Sequence, residues 1–156
     1  MPFGQNVRQS VLPTTPQQLK KALIASGFEV FRTLAEEVVL AERVRENLIL
    51  DSGVRLATRD GRLKVRLVLR AQRADFPNED ESTLFARVRE LAAPALAEGF
   101  AEESTAVNAV TDPADANKTL DTFYEVSLAR DVDDVDAAVP LLKFALSLEK
   151  AVGHGH

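Results

Sequence analysis

The chain has 156 residues, an apolar fraction of 46%, a charged fraction of 28%, a formal net charge of −5, no cysteine and two histidines. These are ordinary globular values, and they predict a single domain that buries a core without help from a disulfide or a structural metal. The lack of Cys excludes thiol nucleophiles and cysteinyl zinc sites and fits a reducing, cytoplasmic location; no apolar run approaches the roughly 20 residues that span a bilayer, and residues 1–15 do not read as a targeting segment.

Residues 1–14 lack periodicity and are expected to form a flexible arm ahead of a domain over 15–152. Thr15, Pro16 and Gln18 have the spacing of a capping box, Leu19, Ala22 and Leu23 supply an apolar stripe, and Gly27 stops the helix. Phe28–Arg32 reads as a strand. Over Leu34–Leu50 the content of Ala, Glu, Leu and Arg suits a helix, whereas the alternation of Val38, Leu40 and Val44 suits a strand turned back at Ala35–Glu37. The alternation favours the strand. Asp51-Ser52-Gly53 reads as a turn, and Val54–Thr58 and Leu63–Gln72 flank Asp60-Gly61 as a hairpin.

Ala74–Glu81 breaks the pattern. Residues 82–98 then form an amphipathic helix, capped by Ser82 or Asp80, bent or thinned by Pro94 and stopped by Gly99. Phe100–Val110 and Leu120–Arg130 read as strands joined by a loop, Thr111–Thr119. Asp133 or Asp134 opens a final helix, expected over 134–152, with Val135, Ala138, Leu142, Ala145, Leu148 and Val152 inward and Pro140 threatening a kink. Residues 153–156 read as a flexible tail. The fold class is α+β, condensed to αβββαββα: a five-stranded antiparallel sheet with three helices.

Chemistry is hard to assemble from these residues. The only histidines, His154 and His156, sit in the Gly-spaced tail, so no Ser-His or Cys-His pair is available. Asp131, Asp133, Asp134 and Asp136 cluster where a helix N-terminus favours negative charge. Asp112, Asp115 and Asp121 miss the calcium-loop spacing, and no Gly-rich phosphate cradle occurs. We therefore expect no catalytic residue, no cofactor and no metal, and rank a metal-dependent enzyme built on these carboxylates below the readings that follow.

Charge is the stronger signal. Up to Arg73 there are 13 Lys/Arg against 7 Asp/Glu, and from Ala74 onward 6 against 17. The stripe centres on the strand Leu63–Gln72, where Leu63, Val65, Leu67 and Leu69 alternate with Lys64, Arg66, Val68 and Arg70. Arg55, Arg62, Lys64, Arg66 and Arg70 form a possible surface for a small anionic ligand or a protein partner, because Arg binds carboxylate or phosphate bidentately. Nucleic acid is disfavoured, since the outward set holds no aromatic for base stacking. A second polar-rimmed stretch, Arg43–Gly53, surrounds Leu48-Ile49-Leu50; it suits either a binding rim or a buried strand with charged ends.

In element order and size, over nearly the whole chain, this pattern is similar to type III secretion chaperones and the related YbjN-like bacterial proteins. The resemblance implies a non-enzymatic, protein-binding module, commonly a homodimer. It makes the 82–98 helix, with Leu84, Phe85, Val88 and Leu91, a candidate dimer or partner surface, and puts the helices at 16–26 and 134–152 on the other face. It also implies that the third and fifth strands are neighbours. Lys64, Arg66 and Arg70 would then face Asp121 and Glu125, so that Arg66→Glu would destabilise and Glu125→Lys would partly rescue.

Overall fold

A computed structural model describes residues 15–153; the expected arm, and the tail beyond Gly153 with both histidines, lie outside the described residues. Along the chain run α1 (Pro16–Ala25), β1 (Val30–Thr33), β2 (Glu37–Arg45), β3 (Leu48–Arg59), β4 (Arg62–Gln72), a single 3-10 turn (Arg73–Asp75), α2 (Glu81–Leu91), α3 (Ala93–Ala97), β5 (Ala101–Asp112), β6 (Asp115–Val132) and α4 (Val135–Ser147). The α+β class is as expected. The sheet has six strands rather than five, in the order β1-β2-β3-β4-β6-β5, and the described residues hold four helices rather than three.

Each departure has a local cause. Residues 30–45 make the two strands that the alternation favoured, turned back where Leu34 N–H donates to the Glu37 carbonyl at 2.8 Å, and counting both gives the sixth strand. The expected helix over 82–98 divides at Ala92. Pro94 has no N–H to continue the ladder, and Ala92 N–H bonds to the Arg89 carbonyl at 3.1 Å instead. The last helix ends at Ser147 rather than 152. Beyond it Arg70 N–H donates to the Lys150 carbonyl at 2.9 Å and Val152 N–H donates to the Arg70 carbonyl at 3.0 Å, so this segment is held as a bridge to β4.

The expected turn at Asp51–Gly53 lies inside β3 instead. The reversal between β2 and β3 falls at Glu46-Asn47, and the two strands pair antiparallel with a register shift between Val39↔Arg55 and Ala41↔Asp51. Two more residues fit into β3 than into β2 there, which is a bulge. Gly53 takes φ 83, and the buried Ser52 hydroxyl fills the gap, donating to the Leu40 carbonyl at 2.7 Å and accepting from Val54 N–H at 3.1 Å. Between β3 and β4 the expected hairpin turn is present, with Asp60 at φ 54 and Gly61 at φ 75. Positive φ at both central residues is what matches a two-residue turn to the twist of the strands.

The described chain groups into two compact units, 15–66 with 130–147 and 67–129 with 148–153. In the first, α1 opens with the expected capping box, Thr15 and Gln18 exchanging two bonds of 3.2 Å. Leu19 and Leu23 of α1 are buried, as are Val38, Leu40, Val54 and Leu56 of the strands and Ala138, Leu142 and Ala145 of α4. Asp134 caps α4, accepting from Ala137 N–H at 2.8 Å. In the second unit, Leu67, Leu69, Leu84, Val88, Ala95, Val126 and Leu128 make the core. Asp80 caps α2 through Thr83 N–H at 2.8 Å.

Candidate protein-interaction surface

The basic residues singled out by sequence are largely engaged within the chain. Successive residues of a strand face opposite ways, so burying Val54, Leu56 and Leu63, Val65 turns Arg55 and Arg66 to the other face of the first unit. There Glu37 of β2 receives both guanidiniums, Arg66 Nη1 at 2.7 Å and Arg55 Nε at 3.6 Å. Arg55 also holds Asp51, Nη2 to Oδ2 at 2.8 Å. Lys64 is half-buried and Arg62 exposed. In the second unit the exposed Arg70 lies over the Phe123 ring, 4.8 Å from its centroid. Arg73 donates from Nη2 to the Tyr124 hydroxyl at 2.8 Å and from Nη1 to the carbonyls of Phe76 and Glu79. Glu125, expected opposite the basic strand, accepts from Asn108 Nδ2 at 2.6 Å. Asp121 accepts from Ala74 N–H at 3.0 Å.

The helix residues proposed as a partner surface belong mostly to the core of the second unit. Leu84 and Val88 are fully buried, and Phe85 meets Tyr124 edge-on with centroids 5.7 Å apart. Leu91 is half-buried. An amphipathic helix spends its apolar stripe on its own sheet when one is available, so Leu84 and Val88 are taken up in the core, while Phe85 and Leu91 stay half-buried. The Arg43–Gly53 stretch is the β2–β3 reversal. Arg43 pairs with Glu29 and donates to the Glu46 carbonyl at 2.6 Å, which ties the turn down.

The surface that stands out is the β5–β6 ribbon. The expected loop Thr111–Thr119 is strand on both sides of a short reversal at Pro113-Ala114, with Thr111↔Thr119 and Asp112↔Asp115 in register. Asp112 Oδ1 accepts from Ala114 N–H at 2.9 Å, an Asx turn that sets the bend. Every residue of β5 from Ala101 to Thr111 is exposed, as are residues 115–120 of β6. Val107 pairs with the buried Tyr124 and so shares its face, yet Val107 is 48% exposed and Leu120 is 52% exposed. Asn108 pairs with Phe123 on the opposite face, with Val110, 38% exposed, beside it. Sequence reasoning missed this surface. Its signal is a run without charge, Ser104–Thr111, which charge counting and motif spacing pass over.

Among the described residues, no group of three or more His, Cys, Asp or Glu side chains is placed to hold a metal ion, and no helix is long and apolar enough to cross a membrane. No protein-family profile, curated protein or solved structure matches the chain.

Proposed function

We propose that this chain is a non-enzymatic protein-binding module of the chaperone-like kind, and that the β5–β6 ribbon is its contact surface. The exposure of β5 on both faces carries this reading. β5 is an edge strand that buries neither face, and exposed Val107, Val110 and Leu120 lose their contact with water only when something covers them. The engagement of Arg55 and Arg66 with Glu37 and Asp51 supports a protein partner over a small anion at the basic stripe.

The test pairs capture from native lysate with amide hydrogen exchange of the captured complex. The reading expects protection of residues 104–111 and 118–123 in the complex, and loss of capture in Val107→Lys/Leu120→Lys. Both positions are exposed, so the double variant should melt within a few degrees of the parent. Capture that is unchanged by the double variant, with no protection in the ribbon, would overturn the reading.

A further inference from the structure

We propose that the protein bound at the ribbon is a second copy of this chain, added antiparallel through β5 itself about a two-fold axis at Asn108. This rests on the ribbon being a protein-contact surface and names its occupant.

Three observations lead there. The first is the contrast between the sheet's edges. β1 at one end has only four residues and a register irregularity, which are two of the devices that stop an edge strand from recruiting another strand. β5 at the other end has twelve residues. Its register with β6 is unbroken from Ser104 to Val110, and Ser104–Thr111 contains no charge, no Pro and no Gly. The exposed end of the β2–β3 hairpin, by comparison, carries Glu42, Arg43, Arg45 and Glu46. β5 alone of these is left open to strand addition.

The second is the order of residues in that run. Thr105-Ala106-Val107-Asn108-Ala109-Val110-Thr111 is nearly its own reverse. Antiparallel pairing about Asn108 sets Thr105 against Thr111, Ala106 against Val110 and Val107 against Ala109. Each pair joins like polarity to like, and the two-fold makes every contact occur twice. Asn108 meets its own copy. A side-chain amide both donates and accepts, so it can pair with an identical amide while its other N–H stays on Glu125.

The third is where the charges fall. In this register Asp112 meets Ser104, while Glu103 and Glu102 fall level with Pro113 and Ala114. No carboxylate faces another, although the ribbon is acidic at both ends of the run. The resulting local order is β6-β5-β5-β6, in which the outer backbone groups of β5 are paired.

The chain has no cysteine, which makes the register directly testable by single replacement. Opposed Cα atoms in an antiparallel pair lie about 4.5–5.5 Å apart, inside the range a disulfide spans. Mild oxidation of Asn108→Cys is therefore expected to give a covalent dimer. Thr105→Cys, whose own copy would sit about 20 Å away, should stay monomeric on a denaturing gel, whereas Thr105→Cys/Thr111→Cys should cross-link. By light scattering the unmodified protein should be a dimer, and Asn108→Lys, which sets two ammonium groups side by side, should raise its dissociation constant roughly five-fold. A monomer up to high micromolar concentration, or a dimer in which Thr105→Cys cross-links as readily as Asn108→Cys, would overturn the inference. If such a monomer still captures another protein in a manner sensitive to Val107→Lys/Leu120→Lys, self-pairing falls and the protein-contact reading stands. If capture is also insensitive, both fall.

Discussion

Glu37 Oε1 accepts from Arg66 Nη1 at 2.7 Å while its other oxygen lies 3.6 Å from Arg55 Nε. One carboxylate, 16% exposed, thus bridges the guanidiniums of two strands on one sheet face. Replacing it by Gln keeps the shape and removes the charge that Arg55 and Arg66, both half-buried, share. Glu37→Gln is expected to cost about 1.5–3 kcal/mol of unfolding free energy. Combined with Arg66→Gln it should cost less than the sum of the two, because the pair is in direct contact. Urea denaturation of the four proteins in the cycle reads this out.

The bulge in β3 gives a second expectation. Ser52→Ala strands the Leu40 carbonyl and the Val54 N–H in a buried site, a loss of about 1–3 kcal/mol. Gly53→Ala places a side chain at φ 83 and should cost about 1–2 kcal/mol. Both should lower the urea midpoint without altering the slope, since the surface exposed on unfolding is unchanged.

Acid should weaken the fold in a defined direction. A hydrogen bond from Arg43 holds Glu29 below the usual carboxylate range; Arg87 does the same for Glu79 and Arg89 for Glu102, while the Thr83 hydroxyl and N–H lower Asp80. A carboxyl depressed in the folded state binds its proton more readily when unfolded. Its contribution is therefore complete above the ordinary carboxylate range and is lost as pH falls through the depressed range. Melting temperature should hold from neutral pH to about pH 5 and fall towards about pH 3. Arg43→Met/Arg87→Met/Arg89→Met should flatten that acid arm. Added salt should do the same in part, because these groups are exposed or, for Glu79 and Arg87, only half-buried.

Inorganic phosphate should raise the melting temperature no more than sulfate at equal ionic strength, because the fixed donors of Arg55 and Arg66 already hold carboxylates. A phosphate-specific rise that saturates, and that Arg66→Gln removes, would restore the anion-binding reading of the basic stripe.

What could be read from sequence was what is local. The Thr15–Gln18 cap, the Asp60-Gly61 turn and the alternation of Leu63, Val65, Leu67 and Leu69 each depend on residues within a few positions of one another, and each is where it was expected. Asp51-Ser52-Gly53 has the composition of a turn. Only its pairing across to Leu40, twelve residues back, makes it a bulge. β5 gave a weak strand signal for the same reason that it is of interest: alternation reports burial of one face, and this strand buries neither. The basic residues were found by counting charge. Their partners were not, because Glu37 lies 29 positions from Arg66 and nothing near either residue marks the other.

The strand order also bears on how a new chain avoids its neighbours during synthesis. β1 to β4 pair in the order they are made, but the place beside β4 stays open until β6 appears, after residues 73–114 have been added. Through that interval β4 presents a long strand edge in an unfinished sheet, the setting in which chains on one messenger would pair with each other. β4 carries Arg62, Lys64, Arg66 and Arg70 and no acidic residue. Like charges on two such edges disfavour their pairing, and the place is taken once β6 has been added. The protection that such a strand would give is confined to the incomplete chain, because β4 is no longer an edge once β6 lies beside it.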